Sequence, residues 1–176
     1  MRGLALGLLA GCVLVGAAGA QEPLVATMNR VSADGVGEAI GEVRVTPTDD
    51  GAMFRGELTG LPEGEHGFHV HENGDCGPGP NDQGQVVIGG AAGGHWDPEN
   101  TGIHRGPEGD GHLGDLPSIV VNPDGTANIA AQAPRITDAS QLQGKALMIH
   151  AGGDNYSDEP EPLGGGGGRI ACGVIQ

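Results

Sequence analysis

The chain has 176 residues, a length suited to one domain. Thirty-six glycines and twelve prolines, with Leu, Ile, Val and Phe together only 37 residues, leave little apolar area for a core, so the fold calls for covalent or metal staples. Four aromatic residues and a formal net charge of −15 argue against base-stacking surfaces and against nucleic acid or an anionic membrane as partners.

The first segment reads as a targeting signal. Arg2 precedes an apolar run that ends in Ala18-Gly19-Ala20, the small-x-small form of a secretory cleavage site. Residues 1–20 are therefore expected to be a signal peptide removed after Ala20, leaving an exported domain over 21–176. Leu9-Ala10-Gly11-Cys12 resembles a lipobox, and the alternative is a lipid anchor at Cys12. The remaining cysteines are Cys76 and Cys172. In an exported chain one disulfide is the economical inference, with two separate buried thiols as the alternative.

No stretch of ten residues keeps a helical period, whereas short stretches alternate at period two. Strands are predicted over 24–29, 41–46, 52–58, 67–72, 119–122, 126–131, 146–150 and 170–175. Asp49-Asp50-Gly51 and Asp124-Gly125 read as hairpin turns. About eight short strands imply an all-β fold, an antiparallel Greek-key barrel or sandwich. Two loops, 73–118 and 151–169, are longer than a compact domain tolerates without function. A Cys76–Cys172 bridge would pin the first of them to the last strand.

The seven histidines are grouped. His69 and His71, two apart on a strand, leave one face while Phe68 and Val70 leave the other. Such a pair alone is a weak signal, equally at home on a half-exposed strand. His95, His104, His112 and Asp115 are more specific, since three imidazoles and a carboxylate suit a closed tetrahedral zinc site. The bland alternative is a solvated polar loop, but a loop this long needs something to order it. His150 adds an imidazole to the strand pair, and an all-imidazole site suits copper. His66 has no partner at ligand spacing and is expected to be structural.

With these residues in place the sequence resembles the Cu/Zn superoxide dismutases, particularly the exported bacterial type. The matching stretches are HGFHVHENGDC (66–76), GGHWDP (93–98), GDGHLGDL (109–116), MIHAGGDNYSD (148–158) and GGRIACGVI (167–175), in family order. The resemblance implies copper on His69, His71, His95 and His150, zinc on His95, His104, His112 and Asp115, and His95 shared between them. It further implies that Asp154 links a copper ligand to a zinc ligand, that Arg169 lies beside the copper, and that Cys76 pairs with Cys172. The implied reaction is disproportionation of two superoxide anions, with two protons, to oxygen and hydrogen peroxide, with His95 and Arg169 as catalytic residues.

One departure concerns charge. Neither 77–92 nor 151–168 contains a lysine or arginine, although the substrate is an anion, so only Lys145 and scattered arginines accompany Arg169. The competing function is a non-catalytic periplasmic copper and zinc binding protein on the same scaffold. Such a store needs neither a shared imidazole nor an anion-binding arginine. A cupin-type site would want a glutamate about four residues beyond the H-x-H pair, whereas Glu72 follows His71 directly. No stable protein partner is implied, and homodimer and monomer both remain open.

Overall fold

The computed structural model describes residues 22–81 and 83–176. The expected leader over 1–20, its cleavage point and Cys12 lie outside the described residues. Eleven strands are seen: β1 (Leu24–Ser32), β2 (Gly35–Thr48), β3 (Gly51–Leu58), β4 (Gly64–His66), β5 (Phe68–His71), β6 (Gly79–Pro80), β7 (Val86–Val87), β8 (Ile119–Val121), β9 (Ala127–Ala133), β10 (Ala146–His150) and β11 (Arg169–Val174).

Seven of them form one antiparallel sheet in the order β5-β10-β11-β1-β2-β3-β9. β4 runs into β5 through Gly67 and pairs with β8, while β8 turns into β9 through Asp124 and Gly125. The two edges of the large sheet are thereby joined through β4 and β8, so the sheet curls on itself and protects its edges. The expected all-β Greek-key architecture is present.

Local sequence explains the strands. In β3, Phe54 and Leu58 are fully buried while Arg55 and Glu57 between them are exposed. The β2–β3 connection is a two-residue hairpin, with Thr48 opposite Gly51 and Asp49-Asp50 as the turn. Gly51 sits at φ 106, a backbone region that side chains avoid. Phe54 meets Phe68 edge-on at 6.1 Å between ring centres, in a core that is otherwise mostly Ala, Val, Leu and Ile with Met28 and Trp96.

Several expected boundaries move. β1 extends to Ser32 and β2 starts at Gly35, because Ala33-Asp34 make a hairpin turn that the irregular alternation around residues 33–39 concealed. The strand expected over 67–72 is β5, one residue shorter at each end, and it is preceded across Gly67 by the unexpected short strand β4. The expected strand ends also shift by one or two residues in β8, β9 and β11. The loop over 73–118 carries the short β6–β7 pair and a 3₁₀ turn at Gly90–Ala92.

Candidate metal centre

The site is built where β5 and β10 lie side by side. Their register sets Met148 opposite His69 and Ala146 opposite His71, and both strands are buried along their whole length. The period-two geometry sends Phe68 and Val70 into the main core and leaves the His69 and His71 rings to the other side. The long loop is registered onto the free edge of β5 as two further backbone segments. Trp96 N donates to Val70 O at 2.8 Å, Val70 N to Gly114 O at 2.8 Å, and Glu72 N to Gly94 O at 3.1 Å. These contacts set His95 against His71 and Asp115 against His69.

Six histidine rings and two carboxylates meet there with almost no access to water. Ligand atoms of His69, His71, His95 and His150 all lie within 4.8 Å of one another, as do those of His69, His95, His104 and Asp115. His112 stands at the rim of the second group, its Nδ1 3.4 Å from Asp115 Oδ1. The predicted sets are thus brought together, with His69 closer to the second group than the sequence indicated. The His95 ring belongs to both groups and stacks on His69 at 4.0 Å. His66 stays apart, as expected: its Nδ1 faces His150 O at 2.7 Å and its Nε2 faces Pro62 O at 2.9 Å.

Hydrogen bonds occupy one nitrogen on most of the rings and leave the other. Nε2 of His69 donates to Asp154 Oδ2 at 2.7 Å, and Nε2 of His104 to Asp154 Oδ1 at 2.7 Å. His71 Nδ1 donates to Gly93 O at 3.0 Å and His150 Nδ1 to Gly167 O at 3.2 Å, which leaves their Nε2 atoms facing each other at 3.3 Å. Nδ1 of His95 is 2.9 Å from Asp115 Oδ1. Among the described residues, four buried ring nitrogens make no well-aligned hydrogen bond: His69 Nδ1, His95 Nε2, His112 Nδ1 and His104 Nδ1, the last lying 2.9 Å from Asp115 Oδ2. Buried polar atoms without partners cost free energy, and this set is the donor pattern that metal ions satisfy.

The electrostatics agree. Burial holds His71 and His150 well below the ordinary histidine range, reinforced by the neighbouring rings, and lowers His69 despite its bond to Asp154. Burial also pushes His95 down to about 3. His104 is the exception. Burial opposes its charge, but its bonds to Asp115 and Asp154 prevail and raise it to about 9. Both carboxylates are held below their usual range, because bonds to the histidines outweigh the cost of burial.

Asp154 is presented by the second long loop, whose base is closed by Ala151 N to Gly168 O and Gly152 N to Gly166 O. Gly164 explains part of the glycine run: it sits at φ 72, and a Cβ there would collide with the Asp154 carboxylate and the His104 ring. Arg169 opens β11, donating from Nη1 to Gly89 O at 2.5 Å and from Nη2 to Gly93 O at 2.6 Å. Gly93 O thus joins Arg169 to His71. The Cys76–Cys172 disulfide is formed, and the alternative of two free thiols is discarded.

Sequence reasoning missed the backbone carbonyls of Gly89 and Gly93, Asp158, which accepts from His104 N at 2.9 Å, and Arg135, which donates to Gly111 O and His112 O at 3.0 and 3.2 Å. Carbonyl partners have no side-chain signature. Asp158 and Arg135 stand 54 and 23 residues from the histidines they touch, and no local pattern reports that.

Comparison with known proteins decides the family. The profile described as copper/zinc superoxide dismutase (SODC) matches residues 39–175. The chain belongs to the copper/zinc superoxide dismutase family. A superoxide dismutase [Cu-Zn] of Escherichia coli is 53% identical over 176 residues, covering 100% of both chains. The solved Cu/Zn superoxide dismutase from Brucella abortus is 48% identical, with a TM-score of 0.84 over 88% of this chain and 100% of that one. The solution structure of the monomeric copper, zinc superoxide dismutase from Salmonella enterica is 57% identical, with a TM-score of 0.75 over 88% of this chain and 99% of that one. As a member of the copper/zinc superoxide dismutase family the chain is an oxidoreductase, and its histidine cluster fits the family's two metals.

Proposed function

We propose that this chain disproportionates superoxide at a two-metal centre in which the His95 ring is shared. Copper is assigned to His69 through Nδ1 and to His71, His95 and His150 through Nε2, the nitrogens left over by the hydrogen bonds to Asp154, Gly93 and Gly167. Zinc is assigned to Nδ1 of His95, His104 and His112 with Asp115. The observation that carries the reading is the set of four buried ring nitrogens without a well-aligned hydrogen bond, disposed on both sides of one imidazole. When bound, copper supplies one-electron redox chemistry and zinc supplies fixed positive charge.

The chain's own residues do the rest. Arg169 offers forked, permanently charged donors to a small anion, and two carbonyls fix its direction. His95 holds or releases a proton at Nε2 while its Nδ1 faces Asp115, its fellow member of the zinc set. Asp154 bonds one ring from each ligand set, so movement on one side is felt on the other. Neutral rings at His69, His71 and His150 accept a cation without first losing protons at neutral pH.

The site assignment extends to the rest of the chain. Export with cleavage after Ala20 is supported by the leader's pattern and by a disulfide that an oxidising compartment permits. A lipid anchor at Cys12 is the alternative end state. A single chain holds every proposed ligand, so the site needs no second copy.

The test is metal analysis with stopped-flow superoxide decay on the mature protein and on His95→Ala. The expected result is one copper and one zinc per chain, turnover that requires copper, and loss of most activity in the variant. Equal turnover by His95→Ala would refute the shared ring.

A further inference from the structure

Tyr156, the chain's only tyrosine, has no part in the proposed chemistry, yet it touches three elements around the zinc ligands. It sits at φ 56, in the left-handed region that bulky side chains avoid. That conformation aims its backbone N–H at Asp154 Oδ1, 2.8 Å away. The same oxygen accepts from His104 Nε2, and the other oxygen of that carboxylate accepts from His69 Nε2. Something must hold the backbone there.

The side chain supplies the hold. Ser118 N donates to the phenol oxygen at 3.0 Å, the phenol O–H donates to Ser118 Oγ at 3.3 Å, and Ser118 Oγ donates to Glu65 Oε1 at 2.6 Å. Ser118 leads into β8 and Glu65 lies in β4, so the phenol is fastened to the small sheet. Between backbone and hydroxyl, the ring covers Gly106, where a Cβ would meet ring atoms at 2.7 Å. Gly106 in turn donates from its N–H to Asp115 Oδ2. Tyr156 is 38% exposed and forms the outer cover of this cluster.

We propose that Tyr156 is a positioning residue: it latches the loop that carries Asp154 onto the loop that carries His104 and Asp115, and so limits the rate at which zinc escapes. The latch acts through Asp154 and Gly106, without touching metal or substrate. It rests on the assignment of His104 and Asp115 to zinc.

The experiment uses the full mature protein carrying copper and zinc. Tyr156→Phe keeps the ring on Gly106 and deletes only the hydroxyl. Zinc release to a colorimetric chelator, at a temperature where both proteins are fully folded, is expected to be about five-fold faster in the variant, the equivalent of ~1 kcal/mol, which is one hydrogen bond's net worth. Hydrogen exchange measured by NMR adds a readout that general destabilisation does not mimic. Exchange at the residue-156 amide and at Arg105 and Gly106 should speed up, with the amides of β1, β2 and β3 unchanged. Unchanged zinc release, or exchange that rises equally across the sheet, overturns the latch. A wild-type protein that takes up no zinc at His104 and Asp115 overturns the assignment on which the latch stands, whereas zinc retained equally by both proteins overturns the latch alone.

Discussion

Removing the disulfide tests how a chain with so little apolar area stays folded and how the fold reaches the site. Cys76 and Cys172 are 96 residues apart, and the bridge joins the long loop to the middle of β11. In the chain-entropy treatment a closed loop of that size contributes about 4.7 kcal/mol at 25 °C, an upper figure because residual structure in the unfolded chain subtracts from it. For a domain of this size each kcal/mol corresponds to roughly 2–4 °C, so metal-free Cys172→Ser should melt about 10–18 °C below the metal-free parent. The sulfurs sit in a small apolar cluster with Val31, Ala92, Ala146 and Met148. Ala92 lies between Gly89 and Gly93, whose carbonyls hold Arg169, so loosening this cluster should blunt activity beyond any loss of metal. Scanning calorimetry of the metal-free proteins, paired with superoxide decay at equal copper content, measures both effects. A melting difference under about 4 °C would refute the loop-closure account, and full activity per copper would refute the link to Arg169.

Zinc binding should release a proton from His104. That ring is raised to about 9 in the metal-free fold by Asp115 and Asp154, so it is protonated at neutral pH and must free Nδ1 before it can act as a ligand. Zinc affinity measured by chelator competition should therefore rise about tenfold per pH unit between pH 7 and 8 and level off above 9, whereas a flat profile would refute the assignment. Arg169→Ala should cut the bimolecular rate with superoxide while copper and zinc content stay unchanged. Raising ionic strength should slow the parent slightly and speed the variant, and identical salt slopes in both would show that Arg169 does not guide the anion.

Much of this site was legible because its signals are local. A two-residue strand spacing sends His69 and His71 to one side wherever the strand sits, and His95, His104, His112 and Asp115 announce themselves by being ligand types inside a loop too long to order itself. Resemblance to a known family added what spacing cannot: the pairing of Asp154 with two rings, and the place of Arg169. What stayed hidden is the supporting layer. Trp96 and Gly94 carry the loop along β5 by backbone bonds that have no side-chain signature, and Gly114 is required there only because a Cβ would collide with the Val70 carbonyl. Tyr156 reads as an ordinary loop residue until its φ and its bond to Ser118 are seen. The short strand before β5 was missed for a related reason. β4 ahead of Gly67 shows no hydrophobic alternation of its own, and the bonds of Gly67 N–H to Gly152 O and of His150 N–H to Gly67 O, which separate it from β5, leave no mark in the sequence.

The few cations near the site are mostly engaged by other groups. Lys145 lies over the Trp96 ring at 4.9 Å, just before the start of β10, while His150 ends that strand. Ala146, the next residue, lies opposite His71, so this lysine is near the copper ligands but its ammonium is engaged by the Trp96 ring. Arg105 is paired with Asp110 and Arg44 with Glu42, while Arg135 is spent on the carbonyls of Gly111 and His112. Arg169 faces a cleft lined by Asn81, Val86, Val87, Ile88, Gly167 and Gly168 on one side and by Glu72, Pro80 and Leu163 on the other. A fixed cation acts most strongly on an anion within a Debye length, where more distant carboxylates are screened. One arginine so placed can govern the last few ångströms of approach even on a chain whose formal charge is −15. The carboxylates that make up that charge are for the most part solvent-exposed and screened by salt, which is why the expected salt effect is small in the parent and changes sign once Arg169 is gone.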